Sequence, residues 1–368
     1  MVLHVPLDKP VVTSFGRMDA RTTVLVKVEA DTGEYGIGEI WNNFPSWGMY
    51  EKITTLKYGI VPMLIGEDPL DIAGVNTKLL RALTVLGLQW GALGPIYQSI
   101  SGIDMALWDL KGKHEGKPVA ALLGGDVRQP VQVYASGIGP DGIEPLIESH
   151  QAMGVTAYKL KVGKDADKDF RNLQRMRDML RPGDKIMIDA NQAWDRETAV
   201  SNLLRFQAFQ LTWIEEPLCC DDFGGYRMIR ERTGIPVAGG ENLYGERHAM
   251  LALEHGALDV IQPDLSKNGG ISEGRAMAEA ARRANVPYAP HFLGGAVCLA
   301  ASLHFFAGVP GGVWLELDAN PNPFREKLFT APFVVKDGTL AVPEGPGLGF
   351  ELDPEFVDYY KIAVSAPE

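Results

Sequence analysis

Eight short apolar runs, rich in Val, Ile and aromatic residues, recur from Val131 onward at a spacing of roughly 25 residues. The runs cover residues 131–135, 156–162, 185–190, 211–216, 236–241, 258–264, 286–291 and 312–317. Most segments between them, such as DFRNLQRMRDML, carry apolar residues at helical spacing. Alternating buried strands and helices predict parallel βα units, and eight such units predict a closed barrel. An open doubly wound sheet is the weaker alternative, because the chain has no Gly-rich dinucleotide-binding fingerprint.

The regions outside these repeats follow other periods. Residues 11–30 contain two β-rich runs separated by a turn at Phe15–Arg17, and the DTGEYGIGE stretch after them predicts a second turn, so we expect a small antiparallel meander. The aromatic-rich loop 41–50 fits neither period, whereas 51–116 has helical spacing. Together these segments predict an α+β unit. The Pro/Gly-rich stretch 331–353 predicts a last β-segment outside the barrel, in a tail that packs back on the first unit.

Composition places the chain among ordinary globular proteins, since 46% of its residues are hydrophobic and 22% are charged. The formal net charge of −12 argues against a nucleic-acid partner, because most of the surface would repel a phosphate backbone. Three cysteines cannot form a disulfide framework. No stretch approaches the roughly 20 apolar residues of a membrane span. We therefore expect a cytoplasmic protein with no membrane partner.

Three acids stand out at the ends of consecutive runs. Asp189, Glu215 and Glu241 are each separated from the next by 26 residues, which is the stride of one strand plus one helix. Each alone would more often be a helix N-cap or a surface charge. Three at an equal stride on one rim predict a metal site, and ligands that are all carboxylates favour Mg²⁺ over zinc.

Two lysines one residue apart, Lys159 and Lys161, end the second run and project from the same face of the strand. They could form an exposed strand end. The flanking apolar residues instead predict a buried strand, where unpaired lysines are costly without a role. Two ammonium groups beside a divalent cation disfavour protonation, so we expect a lowered lysine pKa and a general base.

His291 ends the seventh run, and a lone histidine there is more often a core residue than a catalytic one. Asp264, at the end of the sixth run, offers it a partner, and an Asp that orients an imidazole makes a usable acid/base. Lys267 lies just beyond Asp264, and Glu316 lies in the last run. The aromatic loop 41–50 is open to two interpretations, a packed loop or a lid over the substrate.

These motifs together resemble the enolase superfamily and, within it, the mandelate racemase subgroup. The resemblance covers nearly the whole chain. It implies an α/β fold, a (β/α)7β TIM-like barrel with an α+β capping domain formed by the N-terminal region and the C-terminal tail. The implied boundaries are 1–125 for the capping domain, 126–322 for the barrel and 323–368 for the segment that returns to the cap. A homo-oligomer is the usual assembly for such enzymes and is expected here.

The resemblance also implies roles for the rim residues. The second lysine would be the base, and the first would bind the substrate carboxylate and lower the base's pKa. The implied catalytic residues are Lys161, His291, Asp264, Lys159 and Glu316. The implied Mg²⁺ ligands are Asp189, Glu215 and Glu241, with Glu216 a neighbour and not a ligand. Substrate-binding residues are predicted to be Asn191, Lys267, Phe15, Arg17, Trp41 and Trp47.

The expected reaction begins with removal of a proton next to a small-molecule carboxylate, because bound Mg²⁺ stabilises the enediolate that results. Two outcomes stay open: dehydration of an acid sugar, aldonate or aldarate, to a 2-keto-3-deoxy acid, and racemisation or epimerisation of an α-hydroxy acid. We expect the first by analogy with the subgroup. Asp264 stands where the muconate lactonizing subgroup has a lysine base, which argues against cycloisomerase chemistry. A scaffold without catalysis is disfavoured, because every chemical position holds a competent residue.

Overall fold

The computed structural model describes residues 1–12 and 16–363. Its N-terminal part begins with an antiparallel meander of β1 (Val2–Val12), β2 (Arg17–Glu29) and β3 (Tyr35–Ile40). The predicted meander is confirmed, but the turn predicted over residues 31–39 is wrong in its second half, because Tyr35–Ile40 is β3. Its glycines serve close packing and not chain reversal. A Cβ on Gly38 would lie 1.8 Å from the backbone oxygen of Gly102, so only glycine lets this strand lie on the adjacent helix.

Helices complete the capping domain. They are α1 (Met49–Thr54), α2 (Val61–Leu64), α3 (Ile72–Trp90), α4 (Leu93–Glu115) and α5 (Val119–Leu122), with a 3₁₀ turn at Ser46–Gly48 and a π-helical turn at Thr55–Ile60. The two long helices pack on each other through buried aliphatic residues such as Leu79, Leu83 and Ile100. Helix α4 carries buried residues along almost its whole length, because the meander covers one side and the barrel covers another.

The barrel follows in regular βα order. Its strands are β4 (Val131–Ile138), β5 (Ala157–Lys161), β6 (Lys185–Asp189), β7 (Trp213–Glu215), β8 (Val237–Gly239), β9 (Val260–Ile261) and β10 (Leu315–Asp318). Its helices are α6 (Ile143–Ala152), α7 (Ala166–Met179), α8 (Arg196–Phe206), α9 (Phe223–Thr233), α10 (Gly245–Glu254), α11 (Gly270–Arg283) and α12 (Ala296–Gly308), with a 3₁₀ turn at Gln207–Phe209. The predicted alternation of strands and helices is confirmed.

Closure of the barrel depends on a seventh strand position that is very short. Strands β4 to β9 pair in sequence and in parallel, and β10 pairs with β4. Between β9 and β10, Tyr288 forms single parallel bridges to Ile261 and to Gly312. The predicted run 286–291 therefore contributes one bridging residue where a full strand was expected, and the ring still closes as a barrel.

The C-terminal segment contacts both parts of the molecule. Its elements are α13 (Pro323–Glu326), β11 (Thr339–Leu340), α14 (Pro354–Tyr360) and β12 (Lys361–Ile362). Strand β12 pairs with β1 of the cap, as the tail was expected to do, whereas β11 pairs antiparallel with β4 of the barrel. The residue limits set for each domain stay a prediction. In the described part of the chain, no helix combines the length and the apolarity that crossing a membrane requires.

Candidate active site

Alternation along the barrel strands decides which side chains point into the barrel. Residues two apart share a face, and an apolar layer fills the bottom of the interior with members of successive strands, including Ala157, Met187 and Trp213. Two positions further along, the same faces carry Lys159, Asp189 and Glu215, all of them buried. The charged residues therefore lie inside the barrel because they continue an inward-facing apolar pattern to the C-terminal rim.

Pairing register brings the predicted rim residues together. Lys161 pairs with Asp189 in the β5–β6 ladder, and Asp189 pairs with Glu215 in the β6–β7 ladder. Glu241 lies two residues beyond the end of β8. Parallel strands that end at the same level thus place three acids and one lysine side by side at one end of the barrel.

Lys159 is fully buried and lies among the acids. Its Nζ is 2.5 Å from Glu215 Oε2 and 2.7 Å from Glu316 Oε1. Burial by itself lowers the pKa of Lys159, but the negative charges of Glu215 and Glu316 outweigh it and hold this pKa well above its usual range. Lys159 therefore offsets the charge of the buried carboxylates that surround it.

Lys161 is more accessible, with 15% of its side chain exposed. Its Nζ donates to Asp189 Oδ2 at 2.5 Å and to Asn191 Oδ1 at 2.9 Å. Burial lowers the pKa of Lys161, Asp189 raises it and Lys159 lowers it, and the net shift is upward. The expected lowering by the neighbouring ammonium is thus present, but the attraction of Asp189, which accepts a hydrogen bond from Lys161, outweighs it.

His291 and Asp264 form a direct pair. The Nδ1 of His291 lies 2.7 Å from Asp264 Oδ2, and Nε2 lies 2.7 Å from Glu241 Oε2. Ser266 donates to Asp264 Oδ1 from its backbone N–H at 2.7 Å and from its hydroxyl at 2.6 Å. Burial by itself lowers the pKa of His291, but Glu241, Glu316 and Asp264 raise it well above its ordinary value. The carboxylates at its two ring nitrogens favour the protonated imidazole, a form from which His291 can donate a proton.

A second layer of amides supports the acids. Asn242 Nδ2 donates to Glu216 Oε2 at 2.9 Å and to Glu241 Oε1 at 3.0 Å, and Gln192 Nε2 donates to Glu216 at 2.9 Å. Burial and then the charge of Glu241 raise the pKa of Glu216 to about 8. Sequence reasoning treated Glu216 only as a neighbour. The amides that follow two of the acids, in the DANQ and GGEN stretches, were the available signal for this network.

The three acids predicted to bind Mg²⁺ do not form a ready-made ligand group. Across residues 1–12 and 16–363, no three His, Cys, Asp or Glu side chains already converge as a metal-ligating group. The reason is visible at the rim, where Asp189, Glu215 and Glu241 each contact a lysine or histidine instead.

Charge nevertheless favours a cation there. The buried carboxylates of the rim are Asp189, Glu215, Glu216, Glu241, Asp264 and Glu316, and its buried lysines are Lys159 and Lys267, with Lys161 partly buried. If all six acids were ionised, their charge would exceed that of the three lysines and His291 together. Burial and the charge of Asp189 raise the pKa of Glu215 to about 7, although Lys159 opposes this, so full ionisation there needs a further cation. Oxygen-only ligands with surplus negative charge fit Mg²⁺.

A cavity of about 460 Å³ opens over this rim. Its barrel wall consists of Gly137, Lys161, Asn191, Gln192, Glu241, Asn242, Lys267, His291, Leu293, Asp318 and Asn320, and its cap wall consists of Val11, Met18, Trp41, Asn43 and Phe44. The barrel wall is mostly polar or charged and the cap wall is mostly apolar. A larger groove of about 1180 Å³ near Phe329 and Phe350 has none of the predicted site residues in its lining.

Only some of the predicted substrate-binding residues line this cavity. Asn191, Lys267 and Trp41 line it, and Lys267 Nζ lies 4.9 Å from the centre of the Trp41 ring. Trp47 is 63% exposed and is not in the lining. The side chain of Arg17 is also 63% exposed, bonds to Asp19, and is not in the lining.

Phe15, also predicted to bind substrate, lies outside the described residues. Several lining residues were missed. Met18 and Asn43 had no distinguishing signal, and Phe44 had only its place in the aromatic loop.

Comparison with family models assigns the two parts of the chain. Residues 1–124 match the mandelate racemase / muconate lactonizing enzyme N-terminal domain, and residues 144–356 match the enolase C-terminal domain-like model. The match to a model for each part agrees with the cap and barrel seen in the structure.

Several relatives are similar to this chain over most of its length. D-galactarolactone cycloisomerase of Agrobacterium fabrum is 33% identical, over 97% of this chain and 96% of that protein. L-talarate/galactarate dehydratase of Salmonella typhimurium is 37% identical, over 80% of this chain and 72% of that protein. The crystal structure of L-talarate dehydratase from Polaromonas sp. JS666, complexed with Mg and L-glucarate, has a TM-score of 0.85 and 30% identity, over 98% and 95% of the two chains.

Proposed function

The chain belongs to the mandelate racemase / muconate lactonizing enzyme family of the enolase superfamily, and from this premise we propose that it is a Mg²⁺-dependent dehydratase of an acid sugar. The substrate would be an aldonate or aldarate, and the product a 2-keto-3-deoxy acid. The single observation that carries the proposal is the presence of two proton-transfer groups, Lys161 and His291, in the lining of one cavity. Relatives named as dehydratases of acid sugars support the choice of reaction.

Geometry supports placing these two groups on opposite sides of a substrate. Lys161 lies on β5, the second barrel strand, and His291 follows Tyr288, which takes the place of the seventh strand. Around the barrel, two strands (β10 and β4) separate these positions in one direction, and four strands separate them in the other. A carbon bound between them would have one group near each face, the arrangement that removal and delivery of protons on opposite faces requires.

In dehydration, one group of the pair removes the proton from C2 while the other protonates the hydroxyl that leaves C3 as water. The resulting enol then tautomerises to the 2-keto-3-deoxy acid. Either group can take either part, according to which face of the substrate carries the C2 proton. Whichever group removes that proton must enter the cycle unprotonated. Asp264 keeps the imidazole oriented through Nδ1.

The remaining rim residues are proposed to bind the metal ion and the substrate carboxylate. Asp189, Glu215 and Glu241 would hold Mg²⁺, and the bound ion would stabilise negative charge that develops on the substrate carboxylate. Lys159 does not line the cavity, and its Nζ lies 2.5 Å from Glu215 and 2.7 Å from Glu316, so its positive charge would act on the substrate carboxylate only at longer range. A small carboxylate is therefore the proposed partner. The predicted homo-oligomer stays a prediction.

A second candidate is racemisation or epimerisation of an α-hydroxy acid. The same opposed pair favours it, since a proton removed from one face could be replaced on the other. The similarity to D-galactarolactone cycloisomerase also reopens cycloisomerase chemistry, which the presence of Asp264 had argued against. All three reactions begin with the same proton abstraction, so the fate of the β-substituent distinguishes them.

The test is a screen of aldonic, uronic and aldaric acids and their lactones with Mg²⁺, in which semicarbazide detects 2-keto acids. Dehydration gives a keto acid from an open-chain acid. A negative screen, combined with a change in optical rotation and deuterium incorporation at C2, would replace dehydration with racemisation. Absence of both signals for every acid would contradict the proposed function.

A further inference from the structure

Five of the helices around the rim, α7, α8, α9, α11 and α12, begin in two different ways. The helices α7, α8 and α9 follow the strands that carry Lys161, Asp189 and Glu215, and each begins with its own aspartate. The side chains of Asp165, Asp195 and Asp222 accept hydrogen bonds from the first-turn N–H groups of these helices. This part of the rim is thus completed by residues that are local in sequence.

The helices α11 and α12 follow Asp264 and His291, and they begin at glycines, Gly269 and Gly295, with no side-chain cap of their own. Their open N–H groups are bonded instead by the capping domain. Glu39, the second-last residue of β3, accepts from Gly295 N–H at 2.6 Å and from Cys298 N–H at 2.9 Å. One buried carboxylate of the cap therefore completes the first turn of α12.

The same arrangement is built from α4 for the other helix. Asp104 Oδ2 accepts from Ser272 N–H at 2.9 Å, and Ser101 Oγ accepts from Gly269 N–H at 2.8 Å. For both helices the cap thus bonds the N-cap N–H and the third helical N–H, the two groups that a capping box satisfies within one chain segment.

Glycines make these contacts possible. A Cβ at Gly295 would lie 2.9 Å from Glu39 Oε1, and a Cβ at Gly270 would lie 2.4 Å from Asp104 Oδ2. A side chain at either position would push the carboxylate off the helix. The Gly pairs after Asn268 and after Leu293 therefore leave room for acids that come from more than 160 residues away in sequence.

The two loops that these contacts fix are short and carry the proposed acid/base pair. His291 is four residues before Gly295, and Asp264 is five residues before Gly269. The cap also reaches the loops directly, since Asn43 donates to the backbone oxygen of Leu293 and Trp41 N–H donates to that of Ser266 at 3.3 Å. Each end of the Asp264–His291 hydrogen bond is thus attached to a loop that the cap holds.

We infer that Glu39, together with Asp104 and Ser101, positions the Asp264–His291 pair from the capping domain, whereas the barrel itself positions Lys161. Glu39 and Asp104 do not line the cavity, so they are positioning residues. The inference rests on the proposed use of Lys161 and His291 as the two proton-transfer groups. Proton transfer on the His291 face of the substrate then requires the docked cap, whereas proton transfer on the Lys161 face does not.

The test measures α-proton exchange in D₂O, with Mg²⁺ present, on both C2 epimers of an accepted acid. His291→Asn and Lys161→Ala first identify which epimer each group serves. We expect Glu39→Gln to slow exchange on the His291 face on the order of 10- to 100-fold, as a misplacement of about 1 Å would, and to leave the Lys161 face within about twofold. Equal losses on both faces would overturn the inference.

Two further variants control for folding. Gly295→Ala keeps the Glu39 side chain, but the new methyl group displaces the Glu39 carboxylate from the helix. This variant should reproduce the selective loss. Asp195→Ala removes the local cap of α8, and it should change both faces equally or neither. If the wild type exchanges no acid, the proposed function fails, and amide hydrogen exchange of residues 291–298 then tests the positioning. Faster exchange there in Glu39→Gln, and not in 189–198, would support it, and equal exchange would contradict it.

Discussion

The barrel wall of the cavity is charged and tied together by short hydrogen bonds, whereas the cap wall is mostly apolar and contacts the substrate space through side-chain surfaces. On the barrel wall, Lys161 and His291 each bond to a carboxylate at 2.7 Å or less. On the cap wall, Met18 and Phe44 have no charge to offer. Fixed charges decide which proton moves, and an apolar surface decides which molecule fits. Reaction and selectivity are therefore expected to separate between the two walls.

Removing either proton-transfer group from the barrel wall should have the largest effect. We expect Lys161→Ala and His291→Asn each to lower turnover roughly 10³-fold or more, because no neighbouring group replaces the lost base or acid. Steady-state kinetics on an accepted substrate measures this. Mg²⁺ binding, followed by calorimetry, should survive in both variants. Full activity in either one would contradict the assignment of two proton-transfer groups.

The acids of the barrel wall should differ from one another. Glu241→Ala should weaken Mg²⁺ binding by roughly 100-fold, because a metal ligand is lost. Glu216→Gln should weaken it by only about 10-fold, because Glu216 acts through Asn242. Calorimetric titration of both variants makes the comparison. A larger loss for Glu216→Gln would exchange the two roles.

A change in the cap wall should affect binding more than chemistry. Trp41→Ala removes the ring that lies 4.9 Å from Lys267 Nζ. We expect KM to rise about 10-fold while kcat stays within about threefold. Trp41→Phe keeps an aromatic face, so its KM should lie between those of the wild type and Trp41→Ala. A selective fall in kcat would show that the cap wall takes part in the reaction itself.

Residues of the cap outside the cavity should have the smallest effect. Trp47→Ala and Arg17→Ala change exposed side chains, so kcat/KM should stay within about twofold of the wild type. The same kinetic assay measures both. A tenfold loss in either variant would show that a loop closes over the substrate and would move the boundary of the cap wall.

Local periodicity was enough to predict the barrel. Each βα unit repeats a strand pattern and a helix pattern within about 25 residues, and both patterns depend on neighbours in sequence. Where a local signal had two physical meanings, the prediction was wrong. Gly36 and Gly38 helped to predict a turn over residues 31–39, but they permit close contact between β3 and α4, and nothing in the sequence of that stretch distinguishes the two uses.

The sequence by itself determined the α/β class, the order of the barrel strands and the rim residues. Acids at equal strides lie at the same end of a barrel, because each stride is one strand plus one helix. Side chains two residues apart on a strand point to the same face. Tertiary structure decided which carboxylate faces which cation, why Trp41 reaches the cavity and Trp47 does not, and how Glu39 comes to complete a helix 259 residues later. These outcomes depend on how the cap docks on the barrel, and contacts of that range have no period along the chain.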